Sequence, residues 1–208
     1  MAEAETDTEF ASEPEGEAEP ELSAEEEAAL ERDRERERRA HHAMAMRLVR
    51  QYPDPALRVP ATAIADVDDD VRSLVERMAD IMRRSHGVGL AAPQIGVLRR
   101  VFVYRTGAGE PVRVLINPEL GETSDEVESD TEGCLSLLGG EVTVSVERHT
   151  RIVARGLDES GAPVQVEAEG LEARVIQHEL DHLDGVLIID RAPKEDRRAA
   201  LKELRLKA

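Results

Sequence analysis

The sequence predicts an α+β domain in which short antiparallel strands surround a central helix, with a disordered acidic extension at the N-terminus. Apolar residues recur at helical spacing over 68–84 and again from 171 onward. Between these segments, short runs of β-type residues are separated by turn signals. A helix, then strands, then a helix is typical of α+β domains rather than of alternating βαβ units. The 208 residues are enough for one such domain with an appendage.

Residues 1–45 form the acidic extension, with 16 acidic against 5 basic side chains. The first 22 residues contain too few apolar groups to offset chain entropy, which predicts disorder. A capping box at Ser23 and Glu26 begins a predicted solvated helix over 23–40. Nothing in the extension predicts packing on the domain. The histidine pair at 41–42 is interpreted as part of an exposed polar tail, with a metal-binding role as the alternative. We therefore expect a chain without these 45 residues to keep its stability and turnover.

Charge, hydropathy and cysteine content exclude several classes of protein. A formal net charge of −18 argues against DNA binding by the whole surface. No apolar run approaches the length that spans a bilayer, and the N-terminus lacks the apolar segment of a secretory signal. Cys134 is the only cysteine, so an internal disulfide cannot form, which suits a reducing cytoplasm. We expect a cytoplasmic protein that binds neither DNA nor membranes.

The predicted elements of the domain follow one another with few interruptions. An amphipathic helix over 68–84 is followed by the nearly uncharged stretch 87–96, whose closely spaced glycines indicate either a close approach by a ligand or a buried loop. Five β-type runs come next: 101–105, 112–117, 142–146, 152–156 and 164–168. A charged helix is predicted over 194–208.

Residues 177–182, Gln-His-Glu-Leu-Asp-His, contain the pattern H-E-x-x-H. On a helix, His178 and His182 lie one turn apart on one face and can bind a single metal ion. Glu179 can then reach a water molecule at the open metal position and act as general base. A surface helix that carries two histidines by chance is the alternative. Cys134 is compatible with a nucleophile, a metal ligand or a small buried side chain.

Three motifs occur in a fixed order: Gly-Val-Gly-Leu-Ala-Ala-Pro-Gln at 87–94, Glu-Gly-Cys-Leu-Ser at 132–136, and the H-E-x-x-H segment at 177–182. Together with their flanking residues, they make the chain resemble peptide deformylase of the main bacterial type, which removes the N-terminal formyl group from nascent chains. The resemblance covers about 46–191, and we expect a metal-dependent deformylase domain over 46–193.

The resemblance implies a role for each motif residue. Three of them would be the metal ligands: Cys134, His178 and His182. Glu179 would be the catalytic carboxylate, and Gln94 with the backbone N–H of Leu135 would stabilise the oxyanion. The family usually works with one Fe²⁺ ion, for which Zn²⁺ is often a poorer substitute, and the ligand set does not choose between them.

The resemblance also implies a peptide-binding cleft. The backbone of Gly89 would bind the main chain of a formyl-methionine nascent peptide. The methionine side chain would lie in an apolar pocket for which Val88, Leu171 and Val175 are the candidates, with core packing as the alternative for each.

One departure from the family pattern concerns the segment after Ser136. The family usually has a proline two residues later, whereas this chain has Leu138, and the segment up to 147 is longer than usual. A downstream arginine commonly pairs with the motif glutamate of the family. Arg148 is the candidate partner of Glu132, and an exposed charge on a strand is the alternative.

Two rival functions belong to other classes. A zinc peptidase of the H-E-x-x-H type would need a third ligand downstream of the helix, where Glu203 is the only loosely placed acid. An inactive homologue that serves as a binding module would not need Glu179, Gln94 and all three ligands. The upstream cysteine favours the deformylase over both.

The C-terminal helix carries a stripe of basic side chains, spaced by four, four and three residues: Lys194, Arg198, Lys202 and Arg205. Leu201 and Leu204 are placed to anchor the helix to the domain or to a partner. We hypothesise that the stripe binds ribosomal RNA phosphates, with a solvated helix end as the alternative.

Overall fold

The computed structural model describes residues 23–107 and 109–207. Its helices are α1 (Ala24–Met46), α2 (Asp69–Arg84), α3 (Gly170–Leu183), α4 (Ile188–Arg191) and α5 (Lys194–Lys207). Its strands are β1 (Gly89–Ala91), β2 (Val101–Tyr104), β3 (Arg113–Thr123), β4 (Val127–Gly133), β5 (Thr143–His149), β6 (Arg151–Leu157) and β7 (Pro163–Glu169). The predicted α+β class is confirmed. The predicted disorder of residues 1–22 lies outside the described residues.

Seven antiparallel strands form two sheets among the described residues. Five strands form one sheet in the order β1-β2-β3-β6-β7, and β4 pairs with β5 in a separate two-stranded sheet. The strand β1 is therefore an edge strand, with one side free of other strands. Its free side and the strand β4 border the same cavity.

The strand β2 shows how the main sheet is covered on both faces. Val101 and Val103 point to one face and pack in the cluster built on α2. Phe102 and Tyr104 point to the other face and pack in the cluster built on α3. Alternate residues of a strand face opposite sides, so a strand that is buried throughout needs a helix on each side.

The helix α3, which carries the H-E-x-x-H pattern, is central to the fold. Ala173, Ile176 and Leu183 on this helix are fully buried against the main sheet. The helix ends at Leu183, and Gly185 follows with a φ of 73°. A Cβ atom at Gly185 would lie 2.7 Å from the carbonyl oxygen of Arg58, so the predicted helix stop needs glycine for its conformation and for its space.

The helix α5 is anchored to the domain rather than left for a partner. Leu204 is buried and Leu201 is half-buried. Both pack on a cluster that includes Val142 just before β5, Val144 within β5 and Leu187 before α4. The basic stripe lies on the exposed surface of α5.

The five predicted β-type runs all overlap strands, but β1 and β4 were not predicted. The strand β1 has three residues, all buried, which is too short for an alternating pattern. The strand β4 is mostly polar and exposed, and only Glu132 is buried. Its pairing with β5 supplies the backbone hydrogen bonds that its side chains do not indicate.

The helix α1 begins as predicted but extends further toward the domain. The backbone N–H of Ser23 donates to Glu26 Oε2 (2.9 Å), and the N–H of Glu26 donates to Ser23 Oγ (3.3 Å), which confirms the capping box. The helix was expected to end at 40 and in fact ends at Met46. Its last residues, from alanine 43 onward, are good helix formers, which explains the longer helix.

The chain divides into two compact units, and the second one begins at Glu37. Within this unit, Ala45 is buried and His42 is half-buried, with its ring stacked on that of His86. The expectation that the whole segment up to 45 is an exposed tail is therefore wrong for His42 and Ala45, while the other residues of 37–45 are exposed.

This division changes the expected result of truncation. A chain that begins at Glu37 should keep the melting temperature and turnover of the full chain, because the segment before it belongs to a separate unit. A chain that begins at Met46 should melt several degrees lower, since it loses the buried Ala45 and the stacked His42, about 1–2 kcal/mol together. Thermal denaturation of the three chains is the measurement. Equal melting temperatures would contradict the assignment of 37–45 to the domain.

Candidate active site

Three side chains that can bind a metal converge at the middle of α3. His178 and His182 lie on one face of the helix, and Cys134 comes directly after β4. Their ligand atoms all lie within 4.8 Å of one another, and Cys134 Sγ is 3.2 Å from His182 Nε2. One thiolate and two imidazoles around one point suit a tetrahedral divalent ion and leave a fourth position open. The donor set thus fits a catalytic metal, and it brings together the three predicted ligands.

The two histidines differ in the state that the protein favours. Burial lowers the pKa of His182 well below its usual value, and the positive charges of His178 and Arg148 lower it further. Burial would also lower the pKa of His178, but its contacts with Cys134 and Glu132 raise that pKa to about 10. Histidine ligands bind a metal ion in their neutral form, so metal binding at this site would release a proton.

The buried carboxylate of Glu132 holds His178 in place through a hydrogen bond. His178 Nδ1 lies 3.0 Å from Glu132 Oε2, which leaves Nε2 of the ring for the metal. Burial would raise the pKa of Glu132, but hydrogen bonds from His178 and Arg148 lower it to about 2. The group is therefore a carboxylate at neutral pH. Such a partner fixes the orientation of the ring and increases its basicity.

Arg148 is the predicted partner of Glu132, and the structure confirms the pairing. Its Nε and Nη2 atoms each donate to the Glu132 carboxylate at 3.0 Å. Its Nη1 atom donates to Asp181 on α3 at 2.5 Å. Arg148 is only 5% exposed, so the alternative of an exposed strand charge is wrong. Since a buried guanidinium needs compensating charge, the two carboxylates are required for its burial.

Glu179 is a buried carboxyl group directed at the same space. It is 3% exposed, and its Oε2 atom has no hydrogen-bond partner within the described ranges. Burial raises the pKa of Glu179 to about 7, a value suited to taking up and releasing protons near neutral pH. A Cβ atom at Gly89 would lie 2.2 Å from Glu179 Oε1, so only glycine at this position leaves room for the carboxyl group.

Gln94 is held with its amide nitrogen toward the metal ligands. Its Oε1 atom accepts from the N–H of Ala91 at 2.8 Å, which fixes the amide. Its Nε2 atom lies 3.7 Å from Cys134 Sγ and 3.3 Å from Ser136 Oγ. Leu135 lines the same cavity. The Gln94 amide nitrogen thus lies beside the three candidate ligands, and Leu135 lies in the wall of the same cavity.

A cavity of about 510 Å³ lies in front of the metal ligands, between β1 and β4. Nine of the ten predicted site residues line it, listed here in chain order: Val88, Gly89, Gln94, Cys134, Leu135, Leu171, Val175, His178 and Glu179. His182 completes the ligand set and is almost fully buried. Val88 is 43% exposed and Leu171 is 53% exposed, so core packing does not account for these two side chains. Val175 is buried and packs in the core as well as lining the cavity.

The comparisons with known proteins agree with this geometry. A family model described as polypeptide deformylase matches residues 46–198. The chain belongs to the polypeptide deformylase family. It is 48% identical over 162 residues to a peptide deformylase of Parafrankia sp., and the match covers 78% of this chain and 87% of that protein. It is 41% identical over 167 residues to a peptide deformylase of Thermodesulfovibrio yellowstonii, and this match covers 79% of this chain and 99% of that protein.

Solved structures of peptide deformylases resemble the fold. The peptide deformylase from Synechococcus elongatus, crystallised in complex with actinonin, superposes with a TM-score of 0.70 at 38% identity and covers 74% of this chain and 84% of that chain. The peptide deformylase from Thermotoga maritima superposes with a TM-score of 0.65 at 44% identity, and the match covers 70% of this chain and 96% of that chain. The chain is therefore a peptide deformylase by family and by fold, a hydrolase with a metal-capable Cys-His-His cluster.

The deformylase site contains residues that the sequence analysis did not single out. Arg174 donates to Glu132 Oε1 at 2.8 Å and to the carbonyl oxygen of Val146 at 2.9 Å. It lies one helical turn before His178, so its position on the ligand face of α3 was open to prediction. His42 and His86 also line the cavity. No local pattern indicates their contact, since it joins α1 to the end of α2.

The longer segment after Ser136 forms part of the cavity wall. It makes a short 3₁₀ turn, Leu138–Gly140, in which Leu138, Gly139 and Gly140 have positive φ angles of 52°, 69° and 90°. Both glycines line the cavity. The segment in which this chain differs from the resemblance pattern therefore lines the cleft. The three candidate ligand atoms still lie within 4.8 Å of one another.

Proposed function

We propose that this deformylase removes the formyl group from N-terminal formyl-methionine of newly made polypeptides and releases formate. The observation that carries the proposal is the position of Glu179, a buried carboxyl group with one oxygen unpartnered among the described residues, beside three metal ligands in an open cleft. A structural metal site does not require an unpartnered carboxyl group beside the ion. Hydrolysis requires a general base beside an open coordination position.

One divalent ion per chain completes this proposed site, held by Cys134, His178 and His182. We propose Fe²⁺ in the cell, with Zn²⁺ as a substitute. When bound, such an ion polarises water and the formyl oxygen near neutral pH. The cysteine thiolate offsets part of the charge of the ion.

The chain's own residues would move the proton and stabilise the developing charge. Glu179 accepts a proton from the attacking water and returns it to the nitrogen that leaves, and a pKa of about 7 suits both steps. The amide of Gln94 and the N–H of Leu135 donate hydrogen bonds to the oxygen on which negative charge develops. Glu132 keeps His178 oriented throughout.

The edge of β1 supplies the backbone groups that bind the peptide. The N–H of Arg105 donates to the carbonyl oxygen of Val88 at 2.8 Å, which makes these two residues a hydrogen-bonded pair. Hydrogen-bonded and non-hydrogen-bonded pairs alternate along an antiparallel ladder. The next pair, Gly89 with Tyr104, is therefore a non-hydrogen-bonded one. The N–H and C=O of Gly89 therefore point away from β2, toward the cavity. A peptide in extended conformation can pair with them as an added strand.

The proposal is tested by formate release from formyl-Met-Ala-Ser, with the unformylated and acetylated peptides as matched controls. We expect formate from the formylated peptide and no change in the controls. Cleavage of a peptide bond in any of the three would favour the zinc peptidase. Binding of the formylated peptide without formate release from the metal-loaded enzyme would favour a binding module.

The methionine pocket gives a prediction about affinity. Val88→Asp should lower kcat/KM for formyl-Met peptides at least tenfold, because a charged group would replace an apolar contact of the methionine side chain. The bound metal should stay at the normal level, since Val88 is not one of the three proposed ligands. Val59→Asp, at a similarly exposed residue that does not line the cavity, is the control. Unchanged kinetics for Val88→Asp would remove this residue from the pocket.

We also propose a cytoplasmic location, with the ribosome as a partner of α5. No helix in the described part of the chain is long and apolar enough to cross a membrane. The basic stripe is exposed on α5 while Leu204 anchors the helix. Co-sedimentation with ribosomes should be weaker for a chain that ends at Pro193 than for the full chain, and weaker at higher salt. Equal co-sedimentation of the two chains would contradict a role for the stripe.

A further inference from the structure

Two histidines outside the metal site line the same cleft. The ring of His42, near the end of α1, stacks on that of His86, with the centroids 5.1 Å apart and the planes inclined by 20°. Both residues line the cavity that contains Glu179. His42 precedes 46–198, the segment that matches the deformylase family. His42 therefore adds to the cleft wall a residue that lies outside the family match, whereas His86 lies within it.

His86 occupies a backbone position that glycine usually fills. It follows α2 with a φ of 57°, in the left-handed region. Its N–H donates to the carbonyl oxygen of Arg83 (3.2 Å), and the N–H of Gly87 donates to that of Met82 (2.9 Å), the pattern of a Schellman motif. A side chain at this position is disfavoured relative to glycine. The imidazole of His86 thus supplies a contact that glycine could not make, and that contact is with His42.

The path of the peptide, which rests on the proposed function, leads past this pair. Gly89 lies against Glu179, so the formyl end of a peptide that pairs with Gly89 lies there. From Gly89 the chain runs back through Val88 and Gly87 to His86, a distance of at most about 10 Å for three residues. A peptide antiparallel to β1 covers that distance with the residues that follow its methionine. The stacked rings therefore lie where the second and third residues of the substrate pass.

We propose that His42 and His86 form a binding subsite for the second and third residues of the substrate, so that helix α1 makes turnover depend on peptide length. The flat faces of two stacked rings make van der Waals contact with an extended chain whatever its side chains are. His42 and His86 are thus specificity-determining residues for chain length. The end of α1 takes part in substrate binding even though it lies outside the family segment.

The test compares formyl-Met-Ala with formyl-Met-Ala-Ala-Ala on the full chain. The quantity is the ratio of kcat/KM for the longer peptide to that for the shorter one. We expect His42→Ala to lower this ratio about threefold to tenfold, mainly through KM of the longer peptide, which corresponds to one lost side-chain contact. His41→Ala is the matched control, because His41 is the exposed neighbour on the same helix and does not line the cavity. It should leave the ratio at the wild-type value.

Two further variants separate binding from folding. His86→Gly should lower the ratio while the melting temperature changes little, because the suitability of glycine for the left-handed position offsets the loss of the ring stack. His42→Phe keeps a ring on His86 and should keep the ratio near the wild-type value. A wild-type ratio in both His42→Ala and His86→Gly would overturn the subsite. Absence of formate from the shorter peptide with the wild-type enzyme would instead overturn the proposed function.

Discussion

Glu179→Ala should lower formate release from formyl-Met peptides by about 10²–10⁴-fold, the contribution typical of a positioned general acid-base group. The reason is that no other carboxyl group among the described residues lines the cavity without partners. Glu132 is held by two arginines and His178, and its pKa of about 2 leaves it unable to take up a proton near neutral pH. The measurement is single-turnover formate release at saturating peptide.

Glu179→Ala should nevertheless bind one metal ion per chain, because Cys134, His178 and His182 are untouched. Glu179→Gln is the matched variant, since it keeps the volume and removes the proton transfer. Both variants should be inactive to a similar extent. Turnover within tenfold of wild type in metal-loaded Glu179→Gln would show that another group moves the proton.

Arg148→Met should destabilise the domain by about 3 kcal/mol, since it leaves two buried carboxylates short of a partner while keeping most of the side-chain volume. Glu132 would retain Arg174, and Asp181 would retain Arg191 at 2.6 Å, which limits the loss. For a domain of this size the melting temperature should fall by roughly 10 °C. Metal affinity should fall about tenfold or more, because Glu132 would orient His178 less firmly.

Arg84→Met is the control for the loss of an arginine ion pair. Arg84 contacts Asp80 at 2.9 Å on the surface of α2, where both side chains are about half exposed. Exposed pairs of this kind contribute only about 0.3–0.5 kcal/mol. A melting temperature of Arg148→Met equal to that of Arg84→Met would show that the buried network does not stabilise the domain.

The sequence predicted the parts of this deformylase whose signals are local. The amphipathic pattern of α2 and the four-residue spacing of His178 and His182 each lie within one helix, where periodicity directly reports the buried face. The proposed ligand Cys134 lies 44 residues before His178, and only the order of the three motifs related it to the two histidines. The pairing of Glu132 with Arg148 was likewise predicted from the family pattern. The register of β4 and β5 places Arg148 opposite Glu128, and it is the arginine side chain that reaches the Glu132 carboxylate.

The parts that the sequence did not predict depend on long-range packing. Ala45 is buried and His42 stacks on His86 because the end of α1 contacts the end of α2. No pattern in either segment predicts this contact. The strand β1 is too short for a period, although its free edge positions Gly89. The link from Arg148 to Asp181 joins a strand to a helix in the same way.

The most direct test of the central claim, that Cys134, His178 and His182 hold one catalytic metal ion, is to titrate the metal-free enzyme with Fe²⁺ without oxygen and to measure formate release from formyl-Met-Ala-Ser at each step. The rate should rise in proportion to the bound metal and reach its plateau at one ion per chain. Cys134→Ala should reach no such plateau at the same metal concentrations. Full formate release by the metal-free enzyme, or an undiminished plateau in Cys134→Ala, would contradict a catalytic metal ion held by these three residues.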